Sequence, residues 1–302
     1  MQKIYGILVG SSLVLTSLQA NVDAAKVSQF GGSAEDIVTV GNYSYVAQGN
    51  DGLKIYDISE KAKPILTGSF DTNNKALGVE IDGDFAYIAD AYNGLLIINI
   101  KDKSKPALVG SCNINSKSHD VEISGNYAYV ANGYKGLAII DITDKSKPSK
   151  VGHFNTAGKA VDVEVNGNYA YVADLEKGIA IIDITNKANP TLSSSFNTIG
   201  DAYSIAINEN YTYVAAGFDG LDIINTTNKE KPILTGHLDT AGKAVDIAVN
   251  GDTVYIADGY NGLVVIDAND KSKLSLSKSY KTNEFTRNIE VTEEHAYISD
   301  WR

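Results

Sequence analysis

The chain has 302 residues, 43% apolar and 21% charged, with a formal net charge of −11. That apolar share is enough for a large core and excludes a disordered chain. The acidic balance disfavours nucleic acid and anionic membrane surfaces as partners. The single cysteine, Cys112, excludes an internal disulfide.

The first element differs from everything after it. Lys3 is followed by "IYGILVGSSLVLTSLQA" (Ile4–Ala20), an apolar run ending in small residues. This pattern predicts a secretory signal peptide over residues 1–24, cleaved after Ala20 or Ala24. A retained anchor is the alternative, but a span needs about 20 apolar residues and this run is short for one. Scarcity of thiols agrees with export. The expected product is a periplasmic, cell-surface or secreted chain with no membrane insertion after cleavage.

From residue 25 onward the sequence is read as one domain, 25–302, that repeats. A Tyr followed by Val or Ile and a small residue recurs at Tyr45, Tyr87, Tyr129, Tyr171, Tyr213, Tyr255 and Tyr297, always 42 residues apart. The prolines keep the same period at Pro64, Pro106, Pro148, Pro190 and Pro232. Within one unit, "VDVEV" (Val161–Val165) alternates as a strand does. "NGN" (Asn166–Asn168) is a hairpin turn. "YAYVAD" (Tyr169–Asp174) is a second strand, and "EKG" (Glu176–Gly178) turns again. "IAIIDI" (Ile179–Ile184) is a continuous apolar strand of the kind covered on both faces. "TNKANP" (Thr185–Pro190) is a loop, and "LSSSF" (Leu192–Phe196) a fourth strand. Four short strands per unit predict an all-β, seven-bladed β-propeller of 42-residue repeats. The last blade is expected to be incomplete, because the chain reaches Arg302 after only two strands of the seventh unit. "KVSQF" (Lys26–Phe30) matches the fourth-strand segment "KVGHF" (Lys150–Phe154), so Val27–Phe30 is expected to join that blade. The missing third strand suggests a natural product that continues past Arg302.

"LVVID" (Leu263–Asp267), "LAIID" (Leu137–Asp141) and "LLIIN" (Leu95–Asn99) resemble the LVIVD repeat of bacterial and archaeal exported and cell-surface proteins. The resemblance covers residues from about 30 to 302. It implies a propeller fold and says little about function.

Candidate site residues come from positions that the architecture sends to the channel mouth. Asp36, Asp120, Asp162 and Asp246 begin innermost strands and are candidate cation ligands, since hard cations take several oxygens. The alternative is that they hold loop backbone. Two residues further on, Glu80, Glu122, Glu164 and Glu290 face the same way. Tyr92, Tyr134, Phe218 and Tyr260 follow the second strands and form an aromatic rim suited to a carbohydrate or protein partner. His119, Tyr203 and Arg287 break an otherwise apolar or neutral slot. The third-to-fourth-strand loops are rich in lysine (Lys103, Lys145, Lys187, Lys229 and Lys271 among others), read as a solubilising edge. No nucleophile motif, phosphate loop, HExxH or CxxC pair is present, so no catalytic residue and no cofactor is expected. Two functions stay open. One is an exported, non-enzymatic binding propeller. The other is a propeller hydrolase or lyase that uses channel carboxylates.

Overall fold

The computed structural model describes residues 8–9, 34–60, 63–282, 284–292 and 295–301. Among these, every regular element is a strand. Six sheets of four strands follow one another, each in simple sequence order. The third is typical: Asp120–Ser124, Tyr127–Ala131, Leu137–Asp141 and Ser149–Phe154, each antiparallel to the next. The first strands of successive blades pack side by side around a central channel.

The expectation of seven blades is overturned, because the structure has six four-stranded blades. The repeat was counted by its tyrosine, and the seventh tyrosine does not belong to a four-stranded unit. Tyr297 lies in a hairpin, Phe285–Val291 with Ala296–Trp301, and among the described residues no third or fourth strand follows it in sequence. The hairpin fills the gap between blade six and blade one. Ile289, Tyr297 and Ile298 share one apolar cluster with Ile37 and Val46 on one side and Tyr255 and Leu263 on the other. A two-residue strand, Leu8–Val9, pairs in parallel with the hairpin's second strand. The expected partner Val27–Phe30 lies outside the described residues, as does nearly all of the predicted signal peptide.

The core consists of layers between adjacent blades. All seven period-marking tyrosines are at most 2% exposed. One layer joins Tyr129, Leu137 and Ile139 of blade three to Val163, Val172 and Ile182 of blade four. Full burial of each such side chain contributes roughly 1.5–3 kcal/mol. The acidic or amide residue that closes each third strand starts the next loop. Asp141 Oδ1, for example, accepts the Thr143 N–H at 2.9 Å, the turn geometry that Asp and Asn favour.

The far-face loops press hard on the preceding blade. A Cβ on Gly68, Gly110, Gly152 or Gly236 would lie only 1.9–2.3 Å from the carbonyl oxygen of Lys103, Lys145, Lys187 or Lys271 respectively. Glycine is therefore favoured there by close approach, not by its φ. Blade four carries Ser194 instead, and its hydroxyl donates to the Lys229 carbonyl at 2.6 Å. Blade six carries Lys278, and among the described residues the closing hairpin that follows brings no such loop. The loop lysines are staples. Lys229 Nζ sits 5.6 Å from the centroid of the Tyr171 ring in the preceding blade and donates to its own loop's Thr226 carbonyl at 2.6 Å. Lys103, Lys187 and Lys271 repeat both contacts, and Lys145 lies over Phe85. The solubilising edge is thus partly an inter-blade clamp.

Candidate functional site

Each linker between blades is pinned by a backbone bridge to the preceding blade's second-to-third-strand turn. Ala160 and Gly133 exchange N–H···O bonds of 3.1 Å in both directions. Gly217 and Ala244 likewise bond in both directions, while the Ser118 N–H donates to the Ala91 carbonyl and the Thr286 N–H to the Gly259 carbonyl, each at 3.0 Å. The pinned residue is small and buried. Its neighbours on either side point the opposite way, as alternate residues of extended chain do. They converge on the channel mouth: Lys117 with His119, Lys159 with Val161, Lys243 with Val245, and Phe285 with Arg287. Together they line a cavity of about 400 Å³.

Lys117, Lys159 and Lys243 are half-buried in this mouth. Among the described residues none of the three has a carboxylate within ion-pair distance, whereas Arg287 Nε holds Glu35 at 2.7 Å. Burial lowers the Lys117 pKa, and the charges of Lys159, Lys75 and Arg287 lower it further, partly offset by Glu35. Burial and the charges of Lys159, Lys117 and Arg287 push His119 down to about 3, so its imidazole is neutral. Lys243 covers the Tyr203 ring, with Nζ 4.2 Å from its centroid. Leu175 also lines the cavity, with a φ of 44° at a turn position that is glycine at residues 49, 133, 217 and 259. Holding a leucine in the left-handed region costs on the order of 1 kcal/mol.

Below the cations lies a ring of carboxyls whose main work is visible. Asp36 Oδ2 accepts the Val79 N–H at 2.8 Å, Asp162 Oδ2 the Ile205 N–H at 2.6 Å, and Asp246 Oδ2 the Ile289 N–H at 2.7 Å. Asp120 Oδ2 reaches the Val163 N–H at 3.2 Å. Each aspartate thus latches the first strand of the unit after its own. Where aspartate is absent, Ser204 donates to Asp246 at 2.6 Å and Asn288 donates to Asp36 at 2.8 Å, which continues the ring across its seam. Asp120 and Asp162 hydrogen-bond each other, and burial followed by the Asp162 charge lifts Asp120 well above the usual carboxylate range. Burial raises Asp36 to about 6 and Asp246 to about 7. Deeper in the channel, burial and neighbouring carboxylates raise Glu122 to about 7 and Glu80 and Glu290 to about 8. Among the described residues no three His, Cys, Asp or Glu side chains form a group that holds a metal ion. The aspartates singled out as cation candidates are occupied with backbone N–H groups.

The structure brings His119, Tyr203 and Arg287 together in the cavity wall. Tyr92, Tyr134, Phe218 and Tyr260 stand outside it, 66–76% exposed on the turns that surround the mouth. Tyr260 touches the cavity residue Phe285 edge-on, with ring centroids 5.2 Å apart. Lys117, Lys159 and Lys243 join the mouth without having stood out among the candidate residues. Their signal was a lysine three residues before the innermost-strand position, at Lys75, Lys117, Lys159 and Lys243, replaced by Asp201 in blade five. Of the other histidines, His237 Nδ1 meets the buried Asp222 Oδ1 at 2.9 Å on the outer part of blade five. Cys112 is half-buried in a fourth strand, where burial raises its thiol pKa.

The model of the LVIVD repeat matches six stretches, 31–72, 74–114, 116–156, 157–198, 199–240 and 241–282. The chain belongs to the LVIVD repeat family. The six matched LVIVD repeats agree with the six four-stranded blades and stop short of the closing hairpin. No curated protein matches the chain. Among solved structures, the computationally designed Ika8 protein superposes with a TM-score of 0.72 at 8% identity, over 98% of this chain and 99% of that one. The Cps50 (Swd1) β-propeller domain of Myceliophteria thermophila gives 0.70 at 12% identity, over 86% and 90%. The WD40 β-propeller domain of Doa1 gives 0.67 at 9% identity, over 94% and 91%. At such identities the likeness is one of fold alone.

Proposed function

We propose that this LVIVD propeller is an exported, non-enzymatic binding protein that engages a carbohydrate or protein at the cell surface through its channel-mouth face. The observation that carries this reading is the set of four exposed aromatics, Tyr92, Tyr134, Phe218 and Tyr260, on the same face as the cavity. Large aromatic side chains left in water on one rim supply contact area at low entropy cost. Export is supported by the residue 1–24 pattern and by the resemblance of the repeat motifs to those of exported and cell-surface proteins. The test is a glycan array and a surface-protein pull-down with the wild-type chain and a variant carrying Tyr134→Ala and Phe218→Ala. A captured ligand should lose about 2 kcal/mol or more of binding in the variant, while thermal unfolding is unchanged. Equal capture by both proteins would remove the rim from the site.

A hydrolase or lyase is the second reading, and the Asp120–Asp162 pair beside His119 is what favours it. Two carboxyls sharing a proton are a familiar acid–base arrangement. Here, however, both also hold the first strand of the following blade. Asp120→Asn keeps an acceptor for Val163 and removes the acid. Loss of a measured hydrolytic or lyase activity in that variant would revive the enzyme reading.

A further inference from the structure

We infer that the channel-mouth cavity is a binding site for a sugar acid, a hydroxylated ring that bears a carboxylate. This deepens the binding reading above and rests on it. Three observations meet in the cavity. The first is uncompensated charge. Lys117 and Lys159 are half-buried close to Arg287, and among the described residues only Arg287 has a carboxylate partner. Like charges crowded in a partly desolvated space are unfavourable, and an anion placed among them relieves that cost. The carboxyls beneath form no ion pair with Lys117 or Lys159 among the described residues. Their oxygens accept backbone N–H groups of neighbouring blades, and burial favours the uncharged form of Asp36, Asp120 and Asp246.

The second observation is polar capacity left open inside the wall. His119 Nε2 and Asn288 Oδ1 are buried and make no hydrogen bond within the described protein. Asn288 Oδ1 is an acceptor, so it asks for a donor on the ligand. His119 Nε2 either accepts or donates according to tautomer. A simple inorganic anion fully satisfies the lysines and leaves Asn288 Oδ1 without a donor. A ligand with both a carboxylate and hydroxyls answers both needs. Buried polar atoms are rarely left unpaired when a partner is available.

The third observation is size and shape. A cavity of about 400 Å³ lies in the range of small-molecule sites and suits one or two sugar rings. Leu175, held in a left-handed backbone conformation, adds an apolar side chain to the cavity wall. The exposed aromatics around the mouth offer further platforms if the ring belongs to a longer chain.

The test is isothermal titration calorimetry of the folded chain with short oligogalacturonides and a glucuronate disaccharide. The neutral galactose and glucose counterparts and an acidic peptide complete the set. Uronides should bind, neutral sugars should bind at least about tenfold more weakly, and affinity should fall as salt rises. Lys117→Gln and Lys159→Gln should each weaken uronide binding about tenfold, the loss expected for one charge-assisted hydrogen bond. Lys145→Gln, on the opposite face, should leave it unchanged. Circular dichroism melts of the two mouth variants at or above the wild-type temperature show that the fold is retained. Uronide binding that ignores both mouth substitutions overturns the inference. So does equal binding of neutral sugars, or binding of the acidic peptide in place of uronides. In those last two cases the binding reading survives if Tyr134→Ala and Phe218→Ala still abolish capture. If none of the probes binds the face, the sugar-acid site is refuted, and array capture then decides the broader reading separately.

Discussion

Lysines recur at the repeat period on both faces of this propeller, and they do different things. On the far face, Lys103, Lys187, Lys229 and Lys271 each cover an aromatic ring of the preceding blade and donate to a carbonyl of their own loop. At the mouth, Lys117 and Lys159 face each other's charge, and no ion pair forms with either among the described residues. The first set is held by its surroundings and stabilises the ring. The second set is crowded by like charge and makes no ion pair among the described residues. A repeated residue is therefore not structural or functional by type. The neighbours within a few ångströms decide.

The largest effect is expected where the far-face clamp meets the backbone. Gly152→Val places a side chain against the Lys187 carbonyl, 2.0 Å from the position of the new Cβ. It should lower stability by about 3 kcal/mol in a denaturant melt. Gly152→Ser should cost clearly less, because Ser194 already occupies this slot in blade four with a hydrogen bond to the Lys229 carbonyl. Equal costs for the two variants would mean that the loop yields freely and clamps nothing.

A pH titration separates the channel from both lysine sets. The folded-state values of Asp36, Asp246, Glu122, Glu80 and Glu290 are raised to between about 6 and about 8. The unfolded chain releases these protons near pH 4, so from about pH 4 to about pH 8 the native state binds more protons than the unfolded state. Stability should therefore fall as pH rises through that window. The loss should be at least about 3 kcal/mol, the amount that one carboxyl shifted by about two pKa units contributes. A melting temperature at pH 8 equal to or above that at pH 5 would show that the channel carboxyls are ordinary.

The smallest effects sharpen the comparison most directly. Lys229→Met should cost about 1 kcal/mol, for the lost carbonyl bond and ring contact. Lys159→Gln should fall within about 0.5 kcal/mol of wild type, on the stabilising side, because it removes a like-charge neighbour. If both cost the same in thermal unfolding, the distinction between clamp and site lysines fails.

The blade was legible from residues alone. Period-two alternation in "VDVEV", the turn in "NGN" and the apolar run "IAIID" each name a strand or its end. The number of blades was not, because Tyr297 carries the repeat's anchor into a unit that supplies only two strands. His119, Tyr203 and Arg287 were visible as departures from a repeating slot. The mouth lysines were not, because they do repeat, and repetition looked like architecture. What separates Lys117 from Lys103 is convergence around an axis. That is a property of closing the ring and not of any single unit.

The seam between Asn288 and Asp36 has a consequence for the order in which the molecule assembles. The other aspartate latches join residues 43 apart, so they become available as soon as two adjacent blades exist. The bond from Asn288 to Asp36 joins residues 252 apart, and the one from Ser299 to Ala34 joins residues 265 apart. Loop-closure entropy rises only slowly with length, so the delay is not mainly a matter of search. The delay comes from geometry: the two edges meet only when all six four-stranded sheets have adopted their mutual angles. The last event of folding is then also the first of unfolding, and Asn288→Ala should speed unfolding while leaving the folding rate nearly untouched.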